Sequence, residues 1–266
     1  MPPHTDGSPF EVVARRLSAD RPELGLECGS PDQRFRPLTE VVQGPELERW
    51  LANTASLASG TDPRTAAAYL ISIFTWRLGE TLGGLYLLGA SMPLLTAAQL
   101  CVHQEVRGGG TSRYVHFRYR FAETSSGRPF DRASLARSVV DIHAPLVAVL
   151  QQRTGLSARA LWRLVTDGLS GGLLSHGKLY GSVELARSEA EAILSDETSP
   201  LHNRQWQFTE IEVEGVPPDW FRLRGGCCRL YRTDGGDYCT TCVLRPREEQ
   251  LARLRAFVER RAATAG

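Results

Sequence analysis

The sequence has almost no excess of charge: 31 Lys and Arg stand against 30 Asp and Glu, a net of +1 over 266 residues. So balanced a chain has no overall field to gather nucleic acid. No basic repeat or ribonucleoprotein-type aromatic run replaces it. The glycine runs at 108–110 and 168–172 lack the Lys-Ser/Thr of a phosphate loop and the full G-x-G-x-x-G of a dinucleotide site. No serine nucleophile elbow is present. With neither flavin nor nicotinamide fingerprint, any redox chemistry must draw its electrons from a separate donor. His103, His116, His143, His176 and His202 form no i, i+4 pair with a metal-ligating partner and read as structural. The opening stretch MPPHTDGSPFEVVARRL has no basic start followed by an apolar core, so no secretory signal is expected. Internal repeats and low-complexity tracts are also missing.

Long uncharged runs are scarce too. Residues 81–102 (TLGGLYLLGASMPLLTAAQLCV) are long enough to span a bilayer. Gly83, Gly84, Gly89, Pro93 and Gln99, together with the lack of aromatic belts and a basic flank, argue against a span. The expectation is two buried helices broken near Met92-Pro93. Hydrophobic content of 42% and charged content of 23% fit a globular protein, large enough for one big domain or two small ones.

What is present is mostly helical. A short helix is expected over residues 10–17, and Leu47, Trp50, Leu51 and Leu57 recur at near-helical spacing after Gly44. Asp62-Pro63 is a helix start, capped by Asp and opened by Pro, running to about Leu78. The period then changes. Residues 100–106 and 113–121 flank a glycine-rich turn, and Val115, Phe117, Tyr119 and Phe121 alternate with polar neighbours, the pattern of a β-hairpin with one apolar face. Gly127, Pro129 and Phe130 read as a loop. Asp131 opens a helix toward Arg153 with a kink expected at Pro145, and Ser157 caps another through Val165. Residues 168–177 read as loose, 182–194 as helix, 205–214 as strand, and Pro217-Pro218 as a boundary. Pro246 starts a last helix with Leu251, Leu254 and Val258 on one face. The fold class is α+β and mainly helical: a helical part with a β-hairpin over residues 1–215, and a small C-terminal module over 216–266.

That module holds four of the six cysteines, Cys227, Cys228, Cys239 and Cys242, spaced C-C-x10-C-x2-C. Four thiols this close point to a metal or cluster site, and clustered thiols in a chain of this length point to a reducing compartment. Zinc knuckles separate their first two ligands by two to four residues so that both sulfurs aim at one tetrahedral ion. Adjacent cysteines do that poorly. A [2Fe-2S] cluster has two irons and takes four thiolates, which accommodates the vicinal pair. A structural zinc site remains the other reading, because C-x2-C alone suits zinc. Cys28 and Cys101 stand apart as ordinary thiols. Gly225-Gly226 and Gly235-Gly236 either wrap the backbone around a bulky anion, with N–H groups toward sulfur, or form plain turns. Arg222, Arg224, Arg229, Arg232, Arg245 and Arg247 crowd the segment. They either act on the cluster potential and on anionic partners, or are solvated.

The run RGGCCRLYRTDGGDYCTTCVLR, residues 224–245, resembles the C-terminal motif of FhuF-type ferric siderophore reductases. Outside those residues the resemblance is diffuse. It implies a [2Fe-2S] cluster on Cys227, Cys228, Cys239 and Cys242, a ferric siderophore as substrate, and a cytoplasmic oxidoreductase, at most peripheral to the membrane. A ferredoxin- or flavin-type reductase would be the electron donor. The chemistry suits this: hard oxygen donors hold Fe(III) far better than Fe(II), so one electron frees the iron. Trp76, Arg77, Trp162, His176 and Lys178 are candidates for a siderophore pocket, although the two tryptophans read more readily as core. An iron-sulfur or zinc protein with a regulatory or redox-partner role would share the same sequence pattern.

Overall fold

The computed structural model describes residues 8–28, 32–122 and 128–265. Gly127, expected in a loop, lies outside them. Eight helices and five strands form one large core and one small one.

Helix α1 (Pro9–Asp20) starts at a capping box in which Ser8 and Glu11 satisfy each other's backbone N–H groups. Strand β1 (Arg36–Pro37) and helices α2 (Leu38–Gln43) and α3 (Glu46–Ala55) follow. Helix α4 spans Pro63–Leu87, with the Asp62 side chain accepting from Thr65 N. Strands β2 (Leu100–Arg107) and β3 (Tyr114–Phe121) form the expected antiparallel hairpin, with β1 on the other side of β2. Trp50, Phe74, Phe117 and Tyr119 interlock at the seam between helices and sheet, with edge-on ring pairs 5.0–5.9 Å apart. The Tyr119 hydroxyl donates to Phe74 O across the same seam.

Helix α5 (Arg132–Thr154) is capped by Asp131 and carries Pro145 inside an unbroken helical span. By length and composition it could cross a membrane, yet it packs Leu135, Val139, Ile142, Leu146 and Leu150 into the large core. Helices α6 (Ala158–Leu179) and α7 (Val183–Leu194) complete that core. Strands β4 (Gln207–Val213) and β5 (Val216–Leu223) make a second antiparallel hairpin, turned at Gly215. Pro217 and Pro218 lie inside β5, in a two-stranded sheet where each strand has a free edge and a missing N–H is tolerated. Helix α8 (Arg247–Ala265) lays Leu254 and Val258 on Ile211 and Leu223 to form the small core.

Two expectations are corrected. Residues 168–177 are not loose but the second half of α6, and α4 runs nine residues past Leu78. One cause explains both. Gly79 and Gly83 on α4 face Gly168 and Gly172 on α6, and the two backbones touch. A Cβ on Gly79 would lie 2.4 Å from Gly168 O, and one on Gly172 would lie 2.3 Å from Gly79 C. Here glycine serves close approach rather than freedom of the chain. The expected second helix after Met92-Pro93 is also absent. Helix α4 ends at Gly89, which has φ +72°, and residues 92–96 run without regular structure. Leu95 N is satisfied by the Ser138 hydroxyl and Thr96 N by Gln99, so this buried irregular stretch leaves those donors paired.

Candidate redox centre

The contact between α4 and α6 sets the floor of the site. Ser72, Trp76 and Arg77 come from one helix, Asp167, Gly171 and Lys178 from the other, and Thr75 on α4 donates to Leu164 O on α6. Strand β5 runs up to this floor and delivers Arg222, Arg224 and then the cysteine segment.

Asp167, only 2% exposed, anchors that segment. Its carboxylate accepts from Gly225 N at 2.8 Å and Gly226 N at 3.1 Å, and from Arg224 Nε at 3.2 Å. The Gly225-Gly226 amides therefore point at a carboxylate, not at sulfur. The segment is pressed on α6: a Cβ on Gly226 would sit 2.9 Å from Arg163 C and from Leu164 N. Gly235, with φ +72°, belongs to a plain turn.

After the vicinal pair, Arg229 adopts φ +63°, the one non-glycine residue among those described with positive φ. This kink points its N–H at Cys227 Sγ, 3.4 Å away. The second pair sits in a turn in which Cys242 N donates to Cys239 O. Two side chains clamp the turn. Arg245 Nε donates to Cys239 O and Gln250 Nε2 to Cys242 O, both at 2.9 Å. Arg245 is held in turn by Asp237 and Glu249.

All four cysteines are free thiols. Cys228 and Cys239 lie with sulfurs 3.9 Å apart, and Arg224 Nη1 stands 3.6 Å from each. The hydrogen bond from the Cys239 thiol, and then the Arg224 guanidinium, pull the Cys228 thiol down to about 5, while the same bond pushes Cys239 up. Burial raises Cys227, against the Arg229 N–H. For Arg224 itself burial works against the charge, but Asp167, Cys228 and Cys239 outweigh it and its pKa rises. Arg222 is pushed down to about 10 by burial and still carries its charge at neutral pH.

The sulfurs suit a two-iron cluster. Two thiolates each about 2.3 Å from a tetrahedral metal stand about 3.8 Å apart, which matches Cys228 and Cys239. The donor set is all thiol, with N–H groups directed at sulfur, the usual environment of a cluster.

Of the candidate pocket residues, the structure brings three together. Trp76, half exposed, stands between two adjoining clefts of about 440 and 420 Å³ that both reach Arg224 and Cys239. Arg77 lines the first, beside Cys228; Lys178 lines the second, beside Arg222. Trp162 packs against the large core. His176 is buried beside Gly84 and stacks on Tyr180, with burial pushing its pKa to about 4. A third cavity of about 320 Å³ opens on the other side, at Cys227. Of the six arginines, Arg229 pairs with Asp62 while Arg232 and Arg247 are exposed, so Arg224 alone has a guanidinium hydrogen-bonded to sulfur among the described residues. Cys28 is half-buried and Cys101 buried, both away from the cluster segment. Asp167 and Gln250 were not singled out from the sequence. The signal for Asp167 was there: it is the one charge in the run 164–175.

These features define a cysteine-rich module set against a helical scaffold. Residues 224–244 match the family model of the FhuF 2Fe-2S C-terminal domain, which points to a [2Fe-2S] cluster as the cofactor. The match is confined to that segment, and no curated protein matches the chain.

Proposed function

We propose that Cys227, Cys228, Cys239 and Cys242 hold the [2Fe-2S] cluster and that the protein is a ferric-siderophore reductase of the cytoplasm. The coarser statement, an iron-sulfur redox protein, rests on the matched domain. The finer one rests on a single observation: the Cys228–Cys239 edge opens into clefts walled by an exposed tryptophan and by Arg77, Arg222 and Lys178.

When bound, the cluster supplies one electron at a time. The chain's own residues do the rest. Trp76 offers a flat apolar face to a chelate, and the cations favour the anionic oxygens that surround Fe(III). Asp167, Arg245 and Gln250 fix the cysteine segment so that its distance to the cleft is constant. One electron enters from a ferredoxin- or flavin-type donor, one Fe(III) becomes Fe(II), and the oxygen ligands, which bind Fe(II) weakly, release it.

Dithionite-reduced protein is mixed anaerobically with a ferric siderophore and, in parallel, with its gallium analogue. The proposal expects rapid reoxidation by the ferric form and none by gallium, which accepts no electron. Equal, slow reoxidation in both would remove the reductase reading and leave the iron-sulfur protein.

A further inference from the structure

The two halves of the cysteine site are not equivalent. Cys227 and Cys228 are neighbours in sequence, yet Cys227 lines the cavity on one side and Cys228 the Trp76 cleft on the other. Cys228 pairs instead with Cys239, at the separation two ligands of one tetrahedral metal require. Cys227 and Cys242 are left for the second iron.

The donors to the two pairs differ as well. Cys227 receives one backbone N–H, from Arg229. The Cys228–Cys239 pair receives, from Arg224 Nη1, a charged donor at 3.6 Å to both sulfurs. Charge-assisted hydrogen bonds are about twice as strong as neutral ones. The guanidinium is also immobile: Nε is held by Asp167 and Nη2 by Ser72 at 3.2 Å, and the side chain is only 11% exposed. A charge so enclosed is screened little by salt.

We propose that Arg224, held in place by Asp167 and Ser72, is the residue that sets where the cluster is reduced. Its guanidinium on Cys228 and Cys239 places the added electron on the iron those two share, at the edge facing the Trp76 cleft. This rests on the cysteine assignment proposed above. The electron count is one: a donor such as dithionite supplies it, one ferric centre becomes ferrous, no bond to sulfur breaks, and the guanidinium keeps its proton. Thiolate charge grows on the reduced iron, so a fixed cation beside its ligands stabilises that iron over the other. The electron then waits at the exit, next to the chelate, rather than on the Cys227 side.

The first test needs no substitution. Protein labelled with ¹⁵N in the arginine guanidino nitrogens only is reduced with dithionite, and its pulsed EPR spectrum is recorded. The expected result is a resolved ¹⁵N coupling that disappears in Arg224→Lys and persists in Arg229→Lys. A normal [2Fe-2S] signal with no arginine coupling overturns the proposal. Dye-mediated titration gives the second readout. Arg224→Gln should lower the midpoint potential, Arg224→Lys should lower it less, and Arg232→Gln, an exposed arginine that contacts no sulfur, should leave it near wild type. An unchanged Arg224→Gln potential, or an equal fall in Arg232→Gln, overturns the assignment. Both readouts use dithionite and no siderophore, so they stand even if the protein reduces no ferric chelate. Absence of any cluster signal would instead refute the proposed ligand set.

Discussion

The seam between α4 and α6 and the cysteine segment touch each other but are held together by opposite means. The seam is made by removing side chains: Gly79, Gly83, Gly168 and Gly172 let two backbones meet. The cysteine segment is made by adding them: Asp167, Arg224, Arg245 and Gln250 each fix a stretch that has little regular structure of its own. A seam of glycines tolerates changes of pH and metal but not one added methyl group. A strap of polar contacts tolerates small changes in volume but not the loss of a donor.

The largest effect should come from the seam. Gly172→Ala drives a Cβ into the backbone at Gly79, and overpacking of this kind costs about 3 kcal/mol. Thermal unfolding of the variant should show a large fall in Tm, while Gly181→Ala, where a Cβ meets nothing, should show only the smaller strain of its positive φ. Equal effects at the two positions would break the comparison.

Next is pH, acting on the buried scaffold. His143 donates its Nδ1–H to Val139 O inside the core, and burial lowers its pKa from 6.5 to about 4. The folded protein refuses a proton that the unfolded chain takes up below 6.5. Stability is therefore complete above that value and falls as pH drops toward 4, by on the order of 3 kcal/mol. Urea unfolding at pH 7 and pH 4.5 measures this, and His143→Leu should lose less stability over the interval than wild type. Identical pH slopes would show that His143 carries none of it.

In the cysteine segment, Gln250→Ala frees two buried carbonyls, Cys242 O and Arg245 O, at a cost of about 1–3 kcal/mol. The visible absorption of the cluster should decay faster in air than in wild type, with the helical circular dichroism signal retained. The smallest effect on stability belongs to Trp76→Ala. Half exposed, the residue contributes little to folding. Its removal should slow reoxidation by a ferric siderophore and leave Tm and cluster content unchanged.

The comparison also explains what was legible in the sequence. Caps, the hairpin and the cysteine spacing are local signals: Asp62, Asp131 and Ser157 cap the helices they were expected to cap, and 100–107 pairs with 114–121 as the alternation implies. The seam was not legible because its glycines read as loosening when taken one helix at a time. Their role appears only when the opposite helix is placed. Nor could spacing choose Arg224 among six arginines, since the choice depends on Asp167, 57 residues away in sequence. Trp76, Arg77 and Lys178 line the clefts while Trp162 and His176 do not, because periodicity does not say which face of a buried helix ends at a surface.

The account stands on what Cys227, Cys228, Cys239 and Cys242 hold. Iron, acid-labile sulfide and zinc per chain should be measured on anaerobically purified protein, with an EPR spectrum after dithionite. Two irons, two sulfides and a one-electron signal are predicted. One zinc per chain, in protein made with ample iron, would contradict it.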